Sequence, residues 1–502
     1  MDAKFMEVRF EDGTVEQYEE MPRFSGGQGE LYLSRDGQSL VKFYTYHDER
    51  LKAQQQQEHM RRLDMLIKEF SPSKGDAFWD TFFTWPEKRA VSRMLSDKTV
   101  LDPAVGFRMR YVSGMKLMEN FFLSKPLKAL LPEEQGWFIG RVASAIKLVT
   151  AANRLSAMGL CYADFSGKNV MADPFAGSAV LIDCDSLTIP GQLSAVVNGT
   201  PEYRAPELVT GEFKAPNLHT DRHALAVLLY RWFLFQNPLG GPGARVYSID
   251  DTEDELLRFG KMATYVEHPT DESNRYSRQL FKAAMLGKEM ANLFERTFVR
   301  GIKNPWERAQ PAEWQTALYH LYDQIVPCAR PDCWWHAFVA RPGEPLICPA
   351  CQTPLQQTGL EEVPFIYILQ HRGGSNPYEY LQGESKASHY IVGWPGRHLY
   401  QWHVRPDATP NYTSASVPDL QPWASFFLDQ QTGYWSLKNV GGEMMYYQFP
   451  GEASSAQWRA WAPGEHIWLI PGMQLQFGPA PFFFRALVRL EKTQTTGNAE
   501  VG

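Results

Sequence analysis

Three groups of residues in this 502-residue chain have types and spacings that could do chemistry. The segment FSGGQGELYLS sets Gly26, Gly27 and Gly29 between two strand-like runs. Glycine lets backbone approach a phosphate closely and frees N–H groups to bind it, so this is a candidate phosphate loop. A tight hairpin without a ligand is the alternative reading. Lys42 follows in an apolar strand, LVKFY, where a buried ammonium is costly unless an anion or a carboxylate meets it. The helical run that comes next offers Glu58 as that carboxylate, with Glu49 as the alternative because the helix register is open. Farther on, YADFSGKNV holds Asp164 and Asn169 five residues apart, and LIDCDS puts Asp183 at the end of an apolar strand. Singly, each of these is an ordinary strand-end lysine or turn aspartate; the order in which they occur is what carries information.

The third group is CARPDCWWHAFVARPGEPLICPAC, in which Cys328 and Cys333 are followed after fourteen residues by Cys348 and Cys351. Two knuckles on adjacent hairpins can place four thiolates tetrahedrally around zinc, with no open position, so the site is expected to be structural. His336 could replace one thiolate, but it reads better as an exposed hairpin histidine. Cys161 and Cys184 stand apart and read as buried and inert, with nothing basic beside them in sequence to lower a thiol pKa.

Elements must position these groups. Residues 5–45 alternate as a strand meander, with turns at Asp12–Gly13 and Asp36–Gly37. Residues 48–70 are helical in composition, and Trp137 to Met158 form one apolar stripe ending at Gly159. Two short strands, CYADF and SAVLIDCDS, are expected next, then mostly helix over 205–325 with a loop at 236–246. Residues 362–492 are aromatic-rich short strands with turns at Gly373–Gly374, Thr432–Gly433, Gly441–Gly442 and Pro471–Gly472, an all-β pattern. The tail TQTTGNAEVG reads as frayed, and there is no internal repeat. A net charge of -7 argues against a general nucleic-acid binder. The amino terminus is charged from its second residue, so no signal peptide is expected, and HALAVLLYRWFLF is too short and too interrupted by Arg231 for a membrane span. The clustered cysteines suit a reducing compartment, so the chain is expected to be cytoplasmic.

Across residues 16–325 the sequence resembles the eukaryotic-type (Hanks-type) protein kinases, and GTPEYRAPE at 199–207 matches the end of that family's activation segment nearly letter for letter. The resemblance implies that Gly26 and Gly29 are the second and third glycines of the nucleotide loop, with Phe24 in place of the first. It implies that Lys42 holds the ATP α- and β-phosphates, that Met109 is the gatekeeper and that Arg110, Tyr111 and Val112 are the adenine hinge. Asp164 matches the aspartate that accepts the substrate hydroxyl proton, and Asn169 and Asp183 match the magnesium ligands. Glu207 should pair with Arg308, and Asp221 should brace the catalytic loop. Three departures stand out: Tyr162–Ala163–Asp164 where the family has H-R-D, Asp183–Cys184–Asp185 where it has D-F-G, and Ser166 for the usual lysine, with Lys168 two further on. Ala163 removes the arginine that reads an activation-segment phosphate, and Ser186 to Gly199 contains no basic residue. Thr188 and Ser194 are available hydroxyls there without a cation to capture their phosphates. Thr200 is expected to hydrogen-bond toward Asp164.

The final β region resembles a forkhead-associated sandwich, with Gly396–Arg397 and Asn439 at plausible phosphopeptide-reading positions but without the Ser-x-x-His. The expectation is a multidomain chain: an α+β bilobal kinase unit over 1–325 (small lobe about 1–112, large lobe about 113–325), a zinc ribbon over 326–356 and an all-β sandwich over 360–495. Its expected function is ATP- and magnesium-dependent phosphorylation of a protein serine or threonine, with the carboxy-terminal part as a partner-docking module. A nucleotide-binding pseudokinase scaffold is the alternative. The combination is similar to bacterial kinases encoded with a von Willebrand-A-type protein and a metal-dependent phosphatase in tellurite-resistance-type gene clusters, which would make those two proteins partners.

Overall fold

The computed structural model describes residues 4–48, 50–70, 77–101, 105–122, 136–189, 191–193, 195, 198–241, 253, 255–277, 281–369, 387–405, 408, 422–452, 457–479 and 483–493. Glu49, Ser194, the Gly373–Gly374 turn, residues 242–246 of the 236–246 loop and the tail beyond 493 lie outside the described residues.

Residues 5–110 build an eight-stranded antiparallel sheet: β1 (Phe5–Phe10), β2 (Val15–Glu19), β3 (Phe24–Gly26), β4 (Gly29–Leu33), β5 (Ser39–Tyr44), β6 (Lys88–Met94), β7 (Val100–Leu101) and β8 (Gly106–Arg110). The order is β2-β1-β6-β8-β5-β4-β3, with β7 on β6. Both expected turns are there: Gly13 and Gly37 take φ of +81° and +69°, the left-handed region that glycine enters without strain. β5 is buried along its whole length because it is covered on both faces. Val41 and Phe43 pack with Met6, Val8, Phe10 and Tyr18 on one side. Leu40 and Tyr44 pack with Leu63, Phe107 and Met109 on the other. The period of two puts Lys42 on this second side, under the helix Lys52–Asp64 that brings Leu63.

A helical unit follows, around the helices Phe138–Ala157, Leu218–Leu234, Lys288–Glu295 and Pro311–Asp323. The expected apolar stripe forms the first of these; its middle is buried, while Trp137 and Met158 at its ends are exposed. A small sheet of β9 (Lys116–Leu117), β10 (Val170–Asp173) and β11 (Ser178–Leu181) lies beside it in the order β11-β10-β9. One expectation needs correction. CYADF is not a strand: only Cys161 makes a bridge, to Thr188, and the strand that pairs with β11 is Val170–Asp173. The polar stretch Asp164 to Asn169 needs to curve so that its carboxylate and amide face one another, which an extended strand would forbid.

The cysteine segment adds β12 (Ile325–Pro327) and β13 (Ala337–Val339), paired antiparallel. It is not an appendage. Trp335 stacks on Phe138 and on Phe281, with centroids 4.8 and 5.6 Å apart, so the segment shares the core of the helical unit. Among the described residues the remainder is mostly strand, with one short helix at Gln401–Val404 that the all-β expectation did not include: β14 (Glu362–Leu369), β15 (Ala387–Val392), β16 (His398–Leu399), β17 (Ala424–Leu428), β18 (Trp435–Asn439), β19 (Met445–Gln448), β20 (Arg459–Trp461), β21 (His466–Trp468), β22 (Gln474–Gln476) and β23 (Arg485–Lys492). They form a six-stranded sheet, β15-β14-β23-β22-β19-β20, and a four-stranded sheet, β16-β17-β18-β21. No helix among the described residues is long and apolar enough to cross a membrane.

Candidate active site

Lys42 sits at the bottom of the first sheet, 4% exposed, and its partners come from more than 140 residues away. Its Nζ donates to Asp183 Oδ1 at 2.7 Å and to both oxygens of Asp185 at 3.0 and 2.9 Å. Tyr44, two residues on and so on the same face of β5, donates its hydroxyl to Asp185 Oδ2 at 2.6 Å. Burial by itself would raise the Asp185 carboxyl, but Lys42 and the Tyr44 hydroxyl outweigh it and hold Asp185 below the usual carboxylate range. Burial would likewise lower Lys42, and the two aspartates hold it charged.

The expected lysine partner is corrected here. Glu58 points at Arg61 and Arg62, 4.0 and 3.9 Å away, and its side chain is 40% exposed. The helix starts at Lys52, and that register turns His59 inward, where its ring stacks on Tyr44 at 4.0 Å. One residue of register is about 100° around a helix, enough to take Glu58 off the site.

The loop at Asp164 is built by backbone constraint. Asp221 accepts from the N–H groups of Tyr162 (2.6 Å) and Ala163 (3.0 Å), the bracing expected of it. Asp221 is delivered by a helix that Asn217 caps, its Oδ1 accepting from His219 and Thr220 N–H while Thr220 Oγ1 accepts from Asn217 N–H. Ala163 is held at φ +69° and Asp183 at +59°, strained conformations for residues with a Cβ that cluster where function needs them. Tyr162, in the position of the missing histidine, is fully buried and donates its hydroxyl to the carbonyls of Asn169 and Ile182. It thereby ties the Asp164 loop to the strand end that carries Asp183. Asp164 Oδ2 accepts from Asn169 Nδ2 at 2.8 Å, and its Oδ1 accepts from the Thr200 backbone N–H at 2.6 Å. The Thr200 link is thus made by the main chain, not the hydroxyl. Ser166 is buried and Lys168 exposed.

Downstream, Glu207 and Arg308 form the expected pair, bidentate at 2.6 and 2.8 Å and buried. Thr188 is 3% exposed and locked by two backbone bonds to Cys161, so the expectation of an available hydroxyl there is wrong. The main-chain ladder that continues from Cys161 draws this residue inside. Cys161 and Cys184 are buried, and burial raises both thiols out of the reactive range.

Gly26 and Gly29 pair across the β3–β4 hairpin. A Cβ on Gly29 would lie 2.4 Å from the Phe43 carbonyl oxygen, so packing against β5 requires that glycine. Gly26 and Gly27 are exposed with open space around them, and neither has positive φ. No described residue crowds Gly26 or Gly27, whereas close approach of a phosphate would call for glycine there. Met109 is buried opposite Leu40. Arg110 turns its guanidinium to the carbonyls of Phe83 (2.9 Å) and Thr81 (3.5 Å), and the Tyr111 N–H donates to the Gln38 carbonyl at 2.9 Å. Asp185, buried, and Asp183, partly exposed, set two carboxylates against one ammonium, an arrangement that suits a divalent cation.

The four thiols of Cys328, Cys333, Cys348 and Cys351 all lie within 4.8 Å of one another, with Cys328–Cys351 at 3.5 Å and Cys333–Cys348 at 3.8 Å. A tetrahedral zinc with Zn–S of about 2.3 Å needs S···S edges of roughly 3.8 Å, so the set fits one ion. His336 lies outside that set and packs on Trp137.

Both residues offered for phosphopeptide reading are occupied otherwise. Arg397 donates to the carbonyls of Asp323 (2.9 Å), Val392 (2.6 Å) and Ile325, fastening the β region to the end of helix Pro311–Asp323. Asn439 is fully buried and donates to the carbonyls of Glu443 and Trp461. Asn439 is thus shut off from solvent, and the Arg397 guanidinium is committed to three carbonyls.

Sequence reasoning missed Asp185 and Tyr44. The signal was present: a second acid two residues after Asp183 within an apolar run, and a tyrosine two residues after the lysine.

No protein-family model matches the chain. It is 32% identical over 155 residues to atypical protein kinase C of Drosophila melanogaster, covering 30% of this chain and 24% of that protein. It is 32% identical over 133 residues to protein kinase C zeta type of Oryctolagus cuniculus, covering 26% and 20%. The chain thus spans about a quarter or less of these relatives. Over that stretch it is similar to protein kinases, which supports the eukaryotic-type kinase reading.

Proposed function

We propose that the chain is a serine/threonine protein kinase with a bilobal catalytic unit, a structural zinc ribbon and a carboxy-terminal β-sandwich. The observation that carries this is the meeting of Lys42 with Asp183 at 2.7 Å beside a loop in which Asp164 is held by Asn169 and Thr200. In this reading Lys42 positions the ATP α- and β-phosphates under the Gly26–Gly29 hairpin. The backbone of Arg110 to Val112 takes the adenine, with Met109 behind it. Asn169 and Asp183 hold magnesium, which when bound neutralises charge developing on the transferred phosphoryl group. Asp164 orients the acceptor hydroxyl and takes its proton; its two hydrogen bonds fix the carboxylate's direction before substrate arrives. Tyr162 supplies by a side chain the loop support that a histidine gives elsewhere. The four cysteines hold zinc as a structural ion, a use of cysteine that favours a cytoplasmic setting.

The test is magnesium-dependent transfer from ATP to a protein acceptor by the wild-type chain and by Asp183→Ala. The variant should keep its fold, because a metal ligand and not a core group is removed, and lose transfer. Unchanged turnover in Asp183→Ala would sink the assignment.

A further inference from the structure

We propose that Asp185 is the counter-ion that positions Lys42 for the nucleotide, filling the role that a helix glutamate would otherwise have. This rests on the kinase reading above. Lys42 has two carboxylates, and they are not equivalent. Asp183 meets it through a single oxygen and is 31% exposed, facing the side from which a cation would come. Asp185 meets it through both oxygens, is 3% exposed and has no such outlook. When Asp183 turns to a metal, Asp185 is the carboxylate that remains, and a buried ammonium needs one.

Asp185 is itself fixed. The Tyr44 hydroxyl donates to it at 2.6 Å, and Tyr44 is held flat against His59 at 4.0 Å and 11°. Lys42 and Tyr44 therefore grip Asp185 from one strand face, and the helix Lys52–Asp64 contributes a ring where a carboxylate might have stood. Glu58 is spent on Arg61 and Arg62. The ion pair is consequently built between β5 and the loop that carries Asp183. It does not depend on the helix swinging a glutamate inward.

The experiment uses the full chain and compares wild type with Asp185→Asn, Tyr44→Phe and Glu58→Gln. Affinity for magnesium-ADP is read by calorimetry, KM for ATP and kcat by transfer assay, and folding by the melting transition without nucleotide. Losing a charge-assisted contact should weaken magnesium-ADP binding in Asp185→Asn by about tenfold or more and raise KM in step, with a smaller effect on kcat. Tyr44→Phe should move the same quantities in the same direction by about threefold, and Glu58→Gln by less than about twofold. Asp185→Asn binding like wild type, or Glu58→Gln losing as much as Asp185→Asn, overturns the proposal. Should Asp185→Asn fail to melt cooperatively, Tyr44→Phe decides: an unchanged KM and affinity there refute it. A wild-type chain that binds magnesium-ADP yet transfers no phosphoryl group refutes the kinase reading alone, and the affinity ratio of the variants then decides Asp185.

Discussion

Glu207→Gln should be among the most damaging single changes outside the cleft. Arg308 is 1% exposed and gives Nη1 and Nη2 to the two Glu207 oxygens, Nε to Gly301 O and Nη1 again to His219 O. The substitution leaves a buried guanidinium with neutral partners only, and turns an amide donor toward one of its own donors. Breaking a buried pair from one side costs about 3–5 kcal/mol, because the charge left behind has no compensation. At roughly 2–4 °C per kcal/mol for a unit of this size, the melting transition should fall by about 6–20 °C. The damage should extend to the site. Glu207 opens the short helix Pro206–Val209 directly after Tyr203, whose hydroxyl accepts from the Gly167 N–H in the Asp164 loop at 3.3 Å. Replacing both partners by methionine should recover part of the loss, since no lone charge is then buried. Urea unfolding of Glu207→Gln and of the double methionine variant measures this. A Glu207→Gln cost below about 1 kcal/mol would place the pair among solvent-screened bridges and refute the argument from burial.

The four cysteines should bind one zinc per chain by metal analysis, and chelation should loosen residues 328–351 and the β region fastened to them without abolishing nucleotide binding; substoichiometric metal in carefully purified protein contradicts this. Activity should not require phosphorylation of the activation segment, because Ala163 supplies no cation and Thr188 is buried. Fully dephosphorylated protein should therefore start at its steady rate, and a long lag abolished by an acidic residue at Ser194 would show otherwise. Burial raises the Asp221 carboxyl to about 7 against the pull of its backbone donors. Its folded pKa then lies above the unfolded value of about 3.9, so the folded chain binds more protons between them, and stability falls as pH rises from about 4 to about 7. Asp221→Asn should flatten that part of the urea midpoint against pH; an identical slope in the variant rules the group out.

What could be read from the sequence depended on how local the cause was. The hairpins at Gly13 and Gly37, the cysteine knuckles and the long apolar helix each follow from spacing within a few residues. The line from Lys42 through Asp164 and Asn169 to Asp183 was legible as an order, and the fold brings its members together. The partner of Lys42 was not legible. It depends on helix register, which one residue of start position rotates by about 100°, and on whether Asp185 points inward. Arg397 failed for a related reason: a Gly-Arg pair says nothing of direction, and the carbonyls of Asp323 and Ile325, more than seventy residues away, help decide it. CYADF looked like a strand from its apolar content, but the Asp221 carboxylate and the left-handed Ala163 bend it into a loop.

The central claim is that this chain moves the γ-phosphoryl group of ATP to a protein hydroxyl with Asp164 as the proton acceptor. The most direct measurement is labelled-phosphate incorporation into protein from γ-labelled ATP and magnesium, comparing wild type with Asp164→Asn at matched nucleotide occupancy. The account predicts label on serine or threonine with the wild-type chain and at least about a hundredfold slower incorporation with Asp164→Asn, since a positioned acid–base group contributes about 10²–10⁴ in rate. No label with the wild-type chain, or equal label with the variant, would contradict it.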